Sequence, residues 1–93
     1  MKSVSEFRRR LLPGSKWLMT NTLTGSQFLR VVKRRHQGHV VFYHDGPGTI
    51  KESWLHYPKA GECIYEGDTI KICFGEGHFL SYRQVAKASG KEV

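Results

Sequence analysis

The sequence predicts a mainly β domain, built as a small antiparallel barrel or meander of five to seven strands with one short N-terminal helix. After Gly14 the chain consists of short β-prone runs separated by glycine-containing turns, a pattern typical of meanders and small barrels. No second strong helical period occurs before residue 80. The 93 residues, of which 39% are hydrophobic, allow one core, so we expect a single domain over residues 1–93.

The helix is predicted over residues 3–12. Ser3-Val4-Ser5-Glu6 matches a capping box, in which the first hydroxyl accepts a hydrogen bond from a helix amide and the glutamate reaches back. Val4, Phe7 and Leu11 follow at the spacing of one helical face. Pro13-Gly14 then ends the helix.

The barrel is predicted over residues 14–83. Its turns contain glycines, which tolerate the positive φ that hairpin turns require. Residues 84–93 are expected to form a frayed tail with at most one helical turn at residues 85–88. The strands are expected near residues 16–21, 28–35, 39–44, 49–55, 63–65, 69–74 and 78–82.

The clearest hairpin has apolar residues on both faces. Its strands flank Gln37-Gly38, and each contains two consecutive valines, Val31-Val32 and Val40-Val41. Neighbouring side chains in a strand point to opposite faces, so we expect both faces of this hairpin to be buried. We expect one face to pack inside the barrel and the other to lie beneath the N-terminal helix or the C-terminal segment.

Charge is concentrated in the first half of the chain. Between Met1 and His44 there are nine Lys and Arg against Glu6 alone, a net +8, whereas residues 45–93 hold six basic and seven acidic residues, a net −1. Such asymmetry favours a surface that attracts a polyanion or an acidic protein. The alternative is a small basic protein whose charges serve solubility and are scattered in the folded state.

The basic half contains a predicted ridge for binding phosphates. Strand parity places Arg30 and Arg34 on one face and Lys33 and Arg35 on the other, with both faces solvated near the strand end. The helical arginines are spread at about 100° intervals, so they are solvated or bound to a negative partner. The alternative is a solvated hairpin tip that discourages edge-to-edge aggregation. The ridge consists of Arg8, Arg9, Arg10, Lys16, Arg30, Lys33, Arg34, Arg35 and His36.

Trp54-Leu55-His56-Tyr57-Pro58-Lys59 is the most distinctive hexamer. Trp54 and Tyr57 can place two rings around one pocket at the end of a strand, where they would grip a base, a peptide or an alkylated amine. The alternative is that the two rings close the end of the barrel as core. Of these two candidate binding residues, we expect Trp54 to be structural and Tyr57 to lie partly exposed at the rim.

No catalytic, cofactor or metal site is predicted. The chain lacks Gly-x-Ser-x-Gly and Gly-x-x-x-x-Gly-Lys-[Ser/Thr], the motifs of a nucleophile elbow and of a phosphate-binding loop. Cys63 and Cys73 lack the Cys-x2-Cys spacing of structural zinc sites, and we expect them to be thiols in a reducing compartment. The apolar runs are far shorter than the ~20 residues that span a bilayer. Pro13-Gly14 interrupts the region where a signal peptide needs its apolar core.

The order of the motifs resembles small SH3-like proteins encoded by bacteriophages and integrated elements. Pro13-Gly14-x-x-Trp17 is followed by Val40-Val41-Phe42, by Trp54-Leu55-x-x-Pro58-Lys59-Ala60 and by Gly67-Asp68-Thr69, across about residues 12–82. This group has no agreed activity, so no binding residue is carried over from it. The resemblance implies the cytoplasm of a bacterial host, where orphan domains of this size bind nucleic acid or inhibit a host defence complex.

We therefore expect a non-enzymatic binding module without cofactor, whose basic face contacts nucleic acid or an acidic protein surface of a host complex. The alternative is an inhibitor of a host defence system, of the anti-CRISPR or anti-restriction type, that acts by binding a protein. The net charge of +7 excludes an acidic mimic of DNA. A basic inhibitor would instead plug an acidic patch or trap a complex loaded with nucleic acid.

Overall fold

The computed structural model describes residues 1–43, 51–75 and 77–86, which form one helix, seven strands and a 3-10 turn. All strand pairs are antiparallel. The elements are α1 (Val4–Arg10), β1 (Lys16–Asn21), β2 (Gln27–Arg35), β3 (His39–Tyr43), β4 (Glu52–His56), the 3-10 turn (Ala60–Glu62), β5 (Cys63–Glu66), β6 (Thr69–Gly75) and β7 (His78–Ala86). The predicted β class with a short N-terminal helix is confirmed.

The strands form one sheet in the order β4-β3-β2-β1-β7-β6-β5, which curls into a half-barrel. Strands adjacent in sequence are neighbours in this sheet except β4 and β5, which lie at its two edges. The first and last strands pair in the middle, with Lys16 opposite Ala86 and Asn21 opposite Leu80. Because β4 and β5 are not paired with each other, the sheet is a half-barrel rather than a closed barrel.

One face of the sheet carries the hydrophobic core, and α1 packs against that face. Phe7 of α1 contacts Trp17 edge-on, with ring centroids 5.3 Å apart, and lies 5.9 Å from the Tyr82 ring. Burial of such rings supplies much of the hydrophobic stabilisation of a small domain. The core residues are Met1, Phe7, Leu11, Trp17, Val32, Val40, Phe42, Ile70, Ile72 and Tyr82.

The helix is held at both ends. The Ser3 hydroxyl accepts a hydrogen bond from the Glu6 amide over 3.0 Å, as the capping box predicts. Near the N-terminus the Met1 amino group donates to the Gly67 carbonyl in the β5–β6 turn. At the C-terminal end Arg8 donates to the Gln37 carbonyl, 3.2 Å away, in the β2–β3 turn. The helix therefore spans the core face from one hairpin turn to the other.

The structure corrects the expectation for the two faces of the β2–β3 hairpin. Val32, Val40 and Phe42 lie on the core face with α1, whereas Val31 and Val41 are buried outside the core cluster. In antiparallel strands directly paired residues share a face, and Val41 pairs with Trp54. The helix thus lies on the core face rather than on the opposite face, which is called the outer face below. The C-terminal segment beyond residue 86, the other cover that was expected for this face, lies outside the described residues.

The end of the chain also differs from the expectation. Residues 84–86 were predicted as the beginning of a frayed tail, but they belong to β7, where Trp17 pairs with Gln84 and Lys16 with Ala86. Pairing with β1 satisfies their backbone groups, which explains why they are strand. The predicted helical turn at residues 85–88 is wrong over residues 85 and 86, and the rest of the tail lies outside the described residues, as do residues 44, 49 and 50 of the predicted strands. Among the residues that are described, no helix is long and apolar enough to cross a membrane.

Candidate functional site

Three aromatic rings stack on one another at the end of the sheet near the β2–β3 turn. The rings of His36 and His39 lie 4.5 Å apart and 20° from parallel, and those of His39 and Trp54 lie 4.5 Å apart and 15° from parallel. We call this series the ring stack. His39 covers one side of the indole, yet Trp54 remains 58% exposed. The stack therefore ends in an aromatic ring that is open to a ligand.

Strand pairing explains why these rings meet. His39 pairs with His56 and Val41 pairs with Trp54 across β3 and β4, so all four side chains share the outer face. His39 and Trp54 are diagonal neighbours on that face, within the reach of aromatic side chains. The His56 ring lies beside the stack, 5.6 Å from that of His39 and tilted by 57°.

A carboxylate orients the ring stack from one side. The Glu52 oxygens accept two hydrogen bonds from the Arg34 guanidinium, of 3.0 and 3.2 Å, and a third from the Lys33 ammonium. Arg34 Nε in turn donates to His36 Nε2 over 3.1 Å. A planar, two-point contact restricts a guanidinium more than a single hydrogen bond does. Glu52 thus fixes Arg34, and Arg34 fixes the first ring of the stack.

The same contacts hold Glu52 ionised. Hydrogen bonds from Arg34 and then from Lys33 lower the pKa of the Glu52 carboxyl to about 2, against an ordinary value of 4.5. Burial acts in the opposite direction and is outweighed. Glu52 therefore offsets one of the two positive charges that face it.

A β-bulge in β2 places the two cations together. The register with β3 shifts between Val32 and Arg34, so Lys33 is the extra residue and the alternation of faces is interrupted. As a result Lys33 and Arg34 both reach Glu52 on the outer face. The predicted parity is wrong in consequence. Arg34 pairs with Val41 on the outer face, whereas Arg30 pairs with Trp17 on the core face.

His39 is held in its neutral form by its surroundings. Its Nε2 atom is buried and has no hydrogen-bond partner among the described residues. Desolvation, followed by the positive charges that His36, His56 and Arg34 can carry, lowers the pKa of His39 below its ordinary 6.5. The middle ring of the stack is therefore mainly uncharged at neutral pH.

A cation–ring pair lies on the core-face side of the same end. The Arg8 guanidinium carbon lies 4.4 Å from the centroid of the Tyr57 ring. The backbone amide of Tyr57 donates to the Gly38 carbonyl over 3.2 Å, which ties the residue to the β2–β3 turn. Tyr57 is half-buried against the core, so it is partly exposed as expected.

The prediction that Trp54 is a core residue is wrong. Trp17 instead is completely buried, while Trp54 lies on the outer face. Trp17 and Trp54 both occupy strands with an apolar neighbour, and only the pairing partners distinguish them. Trp17 lies beneath Phe7 of α1, whereas no contact of α1 reaches the outer face among the described residues.

The structure brings together only part of the predicted basic ridge. Arg34, His36 and Trp54 lie together on the outer face at the β2–β3 turn. Arg8 and Tyr57 lie on the core-face side of the same end, so the expectation that Trp54 and Tyr57 border one pocket is wrong. Arg35 is exposed at the adjoining strand end, opposite Val40. Arg10 instead pairs with Glu6 over 2.6 Å and lies 3.7 Å from Asp68. Arg30 is 8% exposed, with its guanidinium 5.0 Å from the Phe28 ring. Arg9 and Lys16 are exposed away from the ring stack, on α1 and at the start of β1.

Sequence reasoning missed His39, His56 and Glu52 as members of the site. Neither strand carries a signal for them, because β3 (His-Val-Val-Phe-Tyr) and β4 (Glu-Ser-Trp-Leu-His) do not alternate between polar and apolar residues. His39, Trp54 and His56 share a face only through the pairing of β3 with β4. The site is called the hairpin end below; it consists of Arg8, Lys33, Arg34, Arg35, His36, His39, Glu52, Trp54, His56 and Tyr57.

The cysteines lie outside the hairpin end. Cys63 and Cys73 are free thiols, and burial is the main cause that raises the pKa of the Cys63 thiol. No group of three or more His, Cys, Asp or Glu side chains within residues 1–43, 51–75 and 77–86 is placed to hold a metal ion. At the hairpin end His36 and His39 stack face to face, and His56 lies tilted beside His39.

Comparisons with known proteins return no match. Neither a protein-family model, nor a curated protein, nor a solved structure matches this chain. The resemblance to small SH3-like phage proteins therefore stays a prediction.

Proposed function

We propose that this protein is a non-enzymatic binding module that contacts nucleic acid through the hairpin end. The observation that carries the proposal is the exposed Trp54 ring, which ends a stack of nearly parallel rings whose first member, His36, accepts a hydrogen bond from Arg34. Aromatic rings that hold bases, next to cations that follow a phosphate backbone, are the two components of surfaces that bind nucleic acid.

Charge supports a polyanionic partner. The first half of the chain has a net charge of +8, and its β2–β3 turn lies at the hairpin end. Arg8 and Arg35 are exposed at this end on its core-face side, where Arg8 donates to the Gln37 carbonyl and Arg35 pairs with Val40. Phosphates attract such side chains over several ångströms and release counterions on binding, so the proposal implies strong dependence on salt.

The exposed ring distinguishes the hairpin end from a merely soluble surface. A large indole that remains mostly in water contributes little to the core. A binding surface accounts for this exposed ring, because the contacts that bury it form only with the partner. The resemblance to phage proteins supports a setting in the cytoplasm of a bacterial host.

Fluorescence anisotropy with labelled oligonucleotides tests the proposal. The logarithm of the affinity should fall with the logarithm of salt concentration at a slope of about 0.7 to 0.9 per neutralised phosphate. Arg8→Ala and Arg35→Ala each remove one cation, so each should make the slope shallower by at most the amount for one neutralised phosphate, about 0.7 to 0.9. The matched control is Arg83→Ala, which removes an exposed arginine from β7, where it pairs with Leu18 and Thr69.

Two outcomes would overturn the proposal. Equal losses in Arg83→Ala and in the two hairpin-end variants would show that net charge, rather than this site, attracts the oligonucleotide. Absence of binding by the folded protein to single- and double-stranded DNA and RNA would favour the alternative, an inhibitor of a host defence complex that binds a protein surface.

A further inference from the structure

We propose that the ligand of the hairpin end is single-stranded and that one unpaired base stacks on Trp54 as the next ring of the series. The proposal rests on the proposed function and narrows it to one form of nucleic acid. In this arrangement the base occupies the side of the indole opposite His39, and the backbone continues toward the exposed arginines at the β2–β3 turn.

The orientation of the rings supports this assignment. Successive planes in the ring stack differ by 20° and 15°, with equal centroid separations of 4.5 Å. A nucleobase placed on Trp54 would continue the same parallel arrangement. Stacking of a base on an aromatic side chain is favourable for every base, because each has a flat π-face.

The position of Trp54 argues against duplex as the preferred ligand. Inside a duplex both faces of each base are covered by neighbouring base pairs, so a ring on a sheet surface has no base face to meet. The strand β4 lies at an edge of the sheet, and Trp54 lies near the middle of that strand rather than on a helix that enters a groove. An unpaired base, in contrast, has a free face that can stack on such a ring.

The charges near the ring stack support base stacking over phosphate binding at this point. Glu52 accepts hydrogen bonds from Lys33 and Arg34, which reduces the positive charge available to phosphates beside the stack. The contacts instead restrain His36 through Arg34. A platform that is already ordered loses less side-chain entropy when a base binds.

Four oligonucleotides separate the contributions of base and phosphate. They are a single strand of twelve nucleotides, its duplex, an abasic strand of equal length, and a single strand of reversed sequence. The wild-type protein should bind both intact single strands more tightly than the duplex and the abasic strand. Trp54→Ala should weaken binding of the intact strand about 5- to 150-fold, the range expected for one stacked base, and leave binding of the abasic strand unchanged.

Matched variants of Trp54 show whether tight binding of the intact single strand needs an aromatic ring at this position. Trp54→Phe keeps a smaller ring and should retain part of the affinity, whereas Trp54→Leu keeps apolar surface without a ring and should resemble Trp54→Ala. Phe74→Ala is the control, because Phe74 is 52% exposed on β6, away from the hairpin end. It should bind like the wild type, and circular dichroism should show that all four variants are folded.

The outcomes distinguish this inference from the proposed function. Equal affinity for single strand and duplex, with no loss in Trp54→Ala, would overturn base stacking while leaving nucleic-acid binding in place. An equal loss for intact and abasic strands in Trp54→Ala would also overturn it, because Trp54 would then act without a base. Absence of binding to all four oligonucleotides would overturn both proposals.

Discussion

The indole nitrogen of Trp17 donates a hydrogen bond to the Ser15 hydroxyl over 3.0 Å, and both side chains are fully buried. The Ser15 hydroxyl in turn donates to the Leu12 carbonyl at 2.6 Å, just after the end of α1. One small side chain therefore satisfies the polar atom of the largest core residue and links it to the segment that follows the helix. Helix and sheet are connected through this pair as well as through apolar packing.

We expect Ser15→Ala to destabilise the fold by about 1–3 kcal/mol, because it leaves the buried indole N–H without a partner. Urea unfolding measures the free-energy change. Ser5→Ala is the control, since Ser5 is exposed on α1 and alanine favours helix. A Ser15→Ala protein as stable as Ser5→Ala would show that the hydrogen bond contributes nothing to stability.

The two tryptophans should respond in opposite ways to truncation. Trp17→Ala removes a completely buried ring and should cost about 3–5 kcal/mol, a large part of the total stability of a domain this small. Trp54→Ala removes an exposed ring and should leave the protein folded. Thermal unfolding followed by circular dichroism compares the two variants. In Trp54→Phe, the remaining Trp17 fluorescence should resist quenching by iodide; strong quenching would contradict the burial of Trp17.

Stability should decrease as the pH falls below about 6.5 because of His39. Its pKa is lowered in the folded protein, chiefly by desolvation, so the unfolded chain binds a proton at a higher pH than the folded chain does. The stability that depends on a neutral His39 is present above 6.5 and is lost as the pH falls toward the lowered pKa.

Unfolding free energies measured from pH 8 to pH 5 test this expectation. In His39→Gln the unfolding free energy should depend less on pH than in the wild type. His78→Gln is the control, because His78 lies on β7 beside Phe74, and this variant should keep the wild-type pH dependence. A His39→Gln protein with the same pH dependence as the wild type would assign the effect to other groups.

Glu52 should produce a second loss of stability at acid pH. Its pKa is about 2 in the folded protein against 4.5 ordinarily, so the unfolded chain takes up the proton first. The stabilisation by ionised Glu52 is complete above 4.5 and is lost between about 4.5 and 2. Glu52→Gln should lack this part of the acid transition.

Glu66→Gln is the matched control for Glu52→Gln. Glu66 forms an ion pair of 3.0 Å with Lys71, and its side chain is 56% exposed. Exposed pairs contribute little to stability, so the acid transition should be nearly unchanged in this variant. An acid transition that is unchanged in Glu52→Gln would mean that its contacts with Arg34 and Lys33 do not stabilise the fold.

Much of the fold was predictable because its signals are local. The capping residues Ser3 and Glu6 and the Pro13-Gly14 pair act within a few residues of where they stand, so the helix was found, although α1 ends at Arg10 rather than at residue 12. β1 was predicted at its observed bounds. The other strands follow from alternation and from glycine turns. Where the described residues allow a comparison, their ends differ from the prediction by one residue or not at all, except that β4 starts only at Glu52 and β7 continues four residues further, to Ala86.

The candidate site was predictable only in part. Arg34, His36 and Trp54 were identified from charge and aromatic content. The face of Arg34 was not predicted, because the bulge at Lys33 changes the parity of β2, and the face of Trp54 depends on the pairing of β4 with β3. Glu52 and His39 were missed since their roles depend on which residue of β3 faces which residue of β4. The register between two strands depends on both segments together, so the sequence of either segment alone does not predict it.

The sequence by itself determined the class of the protein, its helix, the order of its strands along the chain and its excess of positive charge, since each of these depends on composition or on neighbours in the chain. The tertiary structure decided that Trp17 is buried and Trp54 exposed. Both are tryptophans in short strands, and each must lie on one of the two faces of the sheet. The packing of Phe7 and Leu11 against one face made that face the core, and the hydrophobic effect favours whichever face a second layer can cover.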